Sequence, residues 1–212
     1  MIGTGNRSRP PVKARRRIEP PDGNASIPTG VEEPHGLRVQ QYALREQLER
    51  NHFLLERLNA ASARLIQSLE HRDVFEAIAE IIANLIGSEE VAIFDYFPLV
   101  RTLKLAWSSG VEDDILRALG SGTGFIGRAA LGQTSQFPGR QLNTPRLGYE
   151  KNLTACIVLK SSDEIVGVIA ILGLLPQKSC LEWADFELLK FLEVYGAVAL
   201  QFQRLQQDRV TP

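Results

Sequence analysis

The chain has 212 residues, 44% hydrophobic and 23% charged, which allows one well-buried domain with appendages but not two large domains. A formal net charge of -1 excludes a polyanion-binding character for the molecule as a whole. Two cysteines, Cys156 and Cys180, exclude a disulfide framework, and the longest apolar run falls far short of the roughly 20 residues of a membrane-spanning helix, so a soluble cytoplasmic protein is expected.

Residues 1–36 hold six prolines and five glycines and almost no apolar clusters. Such a segment buries too little surface to offset its ordering entropy, and it is expected to be disordered, as are residues 207–212. Its basic run (Arg7, Arg9, Lys13, Arg15, Arg16, Arg17) reads first as a solvated tail. Contact of residues 7–17 with nucleic acid or an anionic membrane is the alternative, although no aromatic residue interleaves with the arginines to stack on bases.

No proline occurs between Pro34 and Pro98. Leu37, Leu44, Leu58 and Leu65 share one heptad register, and Leu48, Leu55 and Leu69 occupy the complementary one, which makes residues 37–69 a coiled-coil seam. Gln41, Asn51 and Ser62 interrupt it, at positions where polar residues set register and oligomer state. The seam is expected to join two parallel copies through Leu37, Leu44, Leu48, Asn51, Leu55, Leu58, Leu65 and Leu69. A single helix laying this stripe on its own domain is the alternative.

Asp73 reads as a helix cap with Glu76 completing a capping box. The helix it opens carries Val74, Phe75, Ile78, Ile81, Ile82, Leu85 and Ile86 on a wide apolar stripe and stops at Gly87. Two strands follow, Val91–Phe97 and Thr102–Ser108, the second with Leu103, Leu105 and Trp107 alternating as one buried face. After a brief helix over Asp113–Leu119 come a glycine-rich stretch and a polar loop over 137–152. Strands at Leu153–Leu159 and Ile165–Leu172 form a hairpin turned by Ser161-Ser162-Asp163-Glu164. The last helix has Phe186, Leu189, Leu192, Tyr195, Val198, Ala199, Phe202 and Leu205 on one side. This order predicts an α+β domain over residues 70–206 with a largely antiparallel sheet.

Gly122-Thr123-Gly124-Phe125-Ile126-Gly127 matches the dinucleotide pattern G-x-G-x-x-G. That chemistry requires a strand running into the glycines and a carboxylate about 20 residues on. Here a short helix is expected before the glycines, and residues 141–148 hold no carboxylate, so a nucleotide site is rejected.

The same segment, extended through Arg128-Ala129-Ala130-Leu131-Gly132-Gln133, resembles the turn and helix that GAF domains place between their second and third strands. Leu69–Asp95 resembles the opening helix and first strand of that family, and Leu153–Leu172 its central hairpin. Asp185-Phe186-Glu187-Leu188-Leu189 resembles its closing helix. The family usually caps that helix with Ser or Thr where this chain has Glu182; Ser179 is an alternative cap.

The resemblance implies a GAF/PAS-like antiparallel sheet of five to six strands with helices packed on one face, preceded by a long helix. It also implies a ligand pocket or partner surface on the other face, and terminal helices that pair two copies and pass a signal to a partner protein. The marks of covalent bilin, cyclic nucleotide, haem and iron are missing, so no cofactor is evident and any ligand is an unidentified small molecule. The family's methionine sulfoxide reductases rely on several cysteines, whereas only Cys156 is placed near a pocket here. No catalytic residue and no metal site is expected. Asp95, Trp107, Phe125, Arg128, Thr154 and Cys156 are the candidate pocket residues, with Asp95 and Arg128 foremost because a charge facing a concave apolar site is a functional candidate. Core packing for Trp107, Phe125 and Cys156 and solvent exposure for Arg128 are the alternatives. Two functions follow: a dimeric small-molecule sensor, or a ligand-free GAF scaffold for dimerisation and partner binding.

Overall fold

The computed structural model describes residues 35–71, 73–111, 113–138 and 147–208. The expectations for the basic tail and for residues 209–212 lie outside these, as does the side chain of Leu37. Two compact units divide between Ala43 and Leu44. Of the first, the structure describes the opening turns of helix α1 (His35–His71); the second holds the rest of α1 and the domain described below.

Helix α2 (Val74–Ile81) runs into a π-helical turn, Ile82–Ile86, and ends at Gly87, whose φ of 82° is the left-handed closure that glycine permits. The Asp73 capping box does not form. Asp73 instead meets Arg64 at 2.9 Å, and the first amide of α2, on Val74, donates to Gln203 Oε1 at 3.0 Å. A glutamine from the far end of the chain thus does the capping.

Strands β1 (Glu90–Phe97) and β2 (Thr102–Ser109) form a hairpin, and α3 (Asp113–Leu116) leads into β3 (Ala118–Gly120). Helix α4 (Gly124–Gly132) follows, then a 3-10 turn at Gly148–Glu150, strands β4 (Ala155–Ser161) and β5 (Glu164–Gly173), and helix α5 (Trp183–Phe191). A second π-turn, Leu192–Gly196, joins α5 to α6 (Ala197–Asp208). The sheet has five strands in the order β3-β2-β1-β5-β4, each neighbouring pair antiparallel. The expected helix over Asp113–Leu119 is shorter than predicted, and its last residues become the edge strand β3. Glycines therefore do follow a strand, but an antiparallel one at the sheet edge, which is not the dinucleotide arrangement.

Alternation along the strands sends side chains to two cores. Val91, Ile93, Ile157, Leu159, Ile169 and Ile171 face α2, α5, α6 and the second half of α1, where Ala61 and Leu65 are buried. Ala92, Phe94, Cys156, Val158, Val168 and Ala170 face α4 and α3 on the other side. A β-bulge corrects the expected face of β2. Ile93 pairs with Trp107 and Phe94 with Leu105, so Ala106 is the extra residue, and Trp107 turns to the helical face while Leu103 and Leu105 keep the other. Ordinary alternation predicts one face for all three; one inserted residue divides them.

Helix α5 begins with Glu182 as its cap, whose backbone amide donates to Asp185 Oδ2 at 2.8 Å, so Ser179 does not cap it. No helix among the described residues is long and apolar enough to cross a membrane.

Candidate functional site

The six candidate pocket residues fall on opposite faces of the sheet. Asp95 follows Ile93 on the helical face, where its carboxylate pairs with Arg204 of α6, which also donates to the Val166 carbonyl. Trp107, turned by the bulge, lies beside α2 in a surface groove that also includes Glu76 and Glu80. These two residues do not join the other four. Phe125 and Cys156 lie fully buried in the core under α4, and the Arg128 guanidinium sits 4.6 Å from the centre of the Phe125 ring. Thr154, just before β4, donates its hydroxyl to the Asn152 carbonyl at 3.3 Å. The sheet's interleaving of faces, not distance along the chain, separates the set.

On the α4 face, Phe125, Ile126, Ala129 and Ala130 pack down onto the sheet, so the space directly beneath the helix is core. The open space lies alongside. A cleft of about 340 Å³ is bounded by Leu116 of α3, Val111, Glu90, Leu172 and the turn carrying Gly148, Tyr149, Lys151 and Asn152. Its residues come from five separate parts of the chain, and the sequence offered no spacing rule that would collect them.

The side chain most tightly built into this region is Glu150, which is wholly buried. Its Oε1 accepts the amides of Phe125 at 2.6 Å and Ile126 at 3.0 Å, the first free N–H groups of α4. Helix α4 has no side-chain cap of its own; a carboxylate from 25 residues downstream satisfies its positive end. This explains two glycines of the motif. A Cβ on Gly124, where φ is 64°, would collide with both Glu150 oxygens, and one on Gly127 would collide with the Gly120 carbonyl. Burial, and then the negative charge of Glu150, push the Cys156 thiol well above its ordinary range, and the Tyr149 hydroxyl is raised by the same two causes. The sequence reading missed Glu150. The signal available was the pairing of an uncapped helix start at Gly124 with an acidic residue in an otherwise basic and neutral loop.

The seam residues divide as well. Leu44, Leu48, Asn51 and Leu55 are exposed along α1, whereas Leu65 is buried in the domain's own core and Leu58 and Leu69 pack against it. Beside them a groove of about 540 Å³ runs between α1 and the closing helices, walled by Leu58, Ile66, Phe191, Tyr195, Val198 and Phe202. Among the described residues no group of three side chains is placed to hold a metal ion.

No family model matches the chain, and no curated protein matches it. Solved structures do. The GAF domain of a phosphoenolpyruvate-protein phosphotransferase from Coxiella burnetii is similar over 73% of this chain and 96% of that one, with a TM-score of 0.58 and 14% identity. The corresponding GAF domain from Acinetobacter is similar over 74% and 98%, with a TM-score of 0.58 and 13% identity. A free methionine-R-sulfoxide reductase from Neisseria meningitidis, solved with its substrate, is similar over 72% and 91%, with a TM-score of 0.56 and 16% identity. At these identities the likeness is one of fold. The five-stranded antiparallel sheet with its helical layers is thus similar in fold to these domains, and the fold of this chain is the GAF fold.

Proposed function

We propose that this protein is a non-enzymatic regulatory module in which two copies join along α1 and the closing helices, while a small molecule held in the cleft on the opposite face of the sheet biases the pairing and, through it, a signalling partner protein. One observation carries the reading. The closing helices are apolar on two sides: Leu188, Leu189, Leu192 and Leu200 fill the domain core, while Tyr195 (57% exposed), Val198 (52%), Phe202 and Leu205 face outward. Leu44, Leu48 and Leu55 (64% exposed) continue this apolar surface along α1. A helix needs one apolar stripe to hold its own domain, and a second, contiguous with an apolar groove, fits a further helical layer. A second copy presenting the same helices supplies that layer isologously.

A thiol supports the non-enzymatic part. Cys156, the thiol nearest the cleft face, is buried with its proton held tightly; a reactive cysteine needs both access and a lowered pKa. A ligand-free scaffold is the second reading, favoured by the filled core beneath α4.

Sedimentation of the full chain tests the pairing. The wild type is expected to run as a dimer, and Ile66→Glu combined with Val198→Glu as a folded monomer, because both side chains already face solvent in the single copy. A wild-type monomer, or a double variant that dimerises with unchanged affinity, overturns it. Native mass spectrometry of the same protein separates sensor from scaffold: a co-purifying small molecule favours the first, a clean apo mass the second.

A further inference from the structure

Chain reversals are dominated by Gly, Pro, Asn, Asp and Ser. The turn between β1 and β2, residues 98–101, follows Pro98 with Leu99, Val100 and Arg101 instead. Leu99 is 100% exposed, Val100 66% and the preceding Phe97 39%, so the domain leaves this apolar cluster largely uncovered. Arg101 adopts a left-handed conformation, φ 48°, which glycine or asparagine would take at less cost. The turn is nonetheless firmly placed. The Arg101 amide donates to the Pro98 carbonyl at 3.3 Å, and the Thr102 hydroxyl to the Val100 carbonyl at 3.0 Å. From the glycine turn, the Ser121 amide donates to the Arg101 carbonyl at 2.8 Å. Large apolar side chains that bury little in their own domain, on a fixed tip where polar residues would serve the fold better, mark a contact surface.

Charge decides what the tip meets. Arg101 follows Val100 directly, and Lys104 Nζ lies 4.8 Å from the centre of the Phe97 ring. Both cations are exposed, and neither has an ion pair among the described residues. Asp95, the carboxylate on β1 behind the tip, is already met by Arg204. The tip is thus apolar in front and positive just behind. A lipid surface has the complementary layers: apolar groups reach roughly 5–10 Å into the headgroup and acyl boundary, while cations stay with the phosphates. The tip projects and has no groove to receive a peptide, which favours such a surface over a protein partner. The turn between β4 and β5, at the same end of the sheet, is opposite in kind, with Ser162, Asp163 and Glu164 exposed. We propose that Phe97, Leu99 and Val100, with Arg101 and Lys104, dock the domain on an anionic lipid surface, tilted so that the acidic β4–β5 turn stays in water. This docking is independent of the pairing and the cleft, because no tip residue lines the helical groove or the cleft.

The test is flotation of the full chain with vesicles of phosphatidylcholine, alone and with about one-third phosphatidylglycerol. The wild type is expected to float with the anionic vesicles and not with the neutral ones. Leu99→Ser combined with Val100→Asn should keep the wild-type melting temperature, because both side chains face solvent. The same variant is expected to lose affinity for anionic vesicles at least about tenfold. Residues 7–17 carry cations of their own, so depth is read separately. An environment-sensitive dye on Leu99→Cys, with Cys180→Ser removing the exposed native thiol, is expected to shift to the blue on anionic vesicles. The same dye on Ser162→Cys is expected not to shift. A double variant that binds as the wild type does, or a dye at position 99 that stays in water on bound protein, assigns the binding to the basic residues and overturns the proposal. A wild type that does not float overturns it in favour of a protein partner for the tip, and equal flotation with neutral vesicles overturns the anionic assignment.

Discussion

Asp185 shows at the scale of a single residue how this domain tolerates a buried charge. At 1% exposure it receives Arg57, Lys178 and the Glu182 amide, and Arg57 also donates to the Leu85 carbonyl, tying α1 to α5 and to the end of α2. Burial by itself pushes the Asp185 carboxyl up, but the hydrogen bonds from Lys178, Arg57 and the amide outweigh it and hold the group below its ordinary value of 3.8. A depressed carboxyl contributes stability above its unfolded pKa, and that contribution is lost as pH falls through the lower, folded value. Asp185→Asn is therefore expected to cost about 3–5 kcal/mol near neutral pH, since it leaves two cations facing a neutral group. The variant should also show a shallower loss of stability than the wild type as pH falls below 3.8. Urea unfolding across the acid range measures both. The sequence showed Asp185 only as part of a helix-opening motif; its partners lie 128 and 7 residues away, and only folding brings Arg57 to it.

At the scale of elements, local rules located the helices well, and Gly87 where the first domain helix stops, but misassigned what caps the start of α2. Asp73 has the right spacing to Glu76 for a capping box, yet Arg64 takes the Asp73 carboxylate and Gln203 reaches the Val74 amide. Gln203→Ala is expected to destabilise the domain by about 0.5–2 kcal/mol, the loss of a helix cap, with thermal unfolding as the measure. Asp73→Ala removes a partly exposed ion pair and should cost less than about 1 kcal/mol. The bulge at Ala106 has the same lesson for strands. Residue alternation in Leu103, Leu105 and Trp107 is faithful only while the ladder is regular, and the register shift against β1 is a property of the pair of strands, not of either alone.

At the scale of the whole molecule, the seam and the domain overlap. The sequence places the boundary at residue 69, but Ala61 and Leu65 belong to the core and Arg57 to the Asp185 cluster. A chain beginning after residue 69 loses this packing, at about 2–5 kcal/mol for a large core side chain against a total stability of about 5–15 kcal/mol. Such a truncation is expected to give an unfolded or molten product by circular dichroism, not a folded monomer. A folded, cooperatively melting product would show that the second half of α1 is dispensable to the domain.

The order of the helices and of four of the five strands, the antiparallel hairpins, the glycine turn and the likeness to GAF domains were legible in the sequence, because they depend on short-range periodicity and turn chemistry; the edge strand β3 was not. What tertiary structure alone decided is which side chains meet. The sheet divides Asp95 and Trp107 from Phe125 and Cys156, and a carboxylate 25 residues away from α4 becomes its cap. The same folding assigns half of the leucine seam to the domain's own interior and half to its surface. Each of these outcomes is a competition between distant groups for one buried position, and the energies that settle it exist only once the layers have closed on each other.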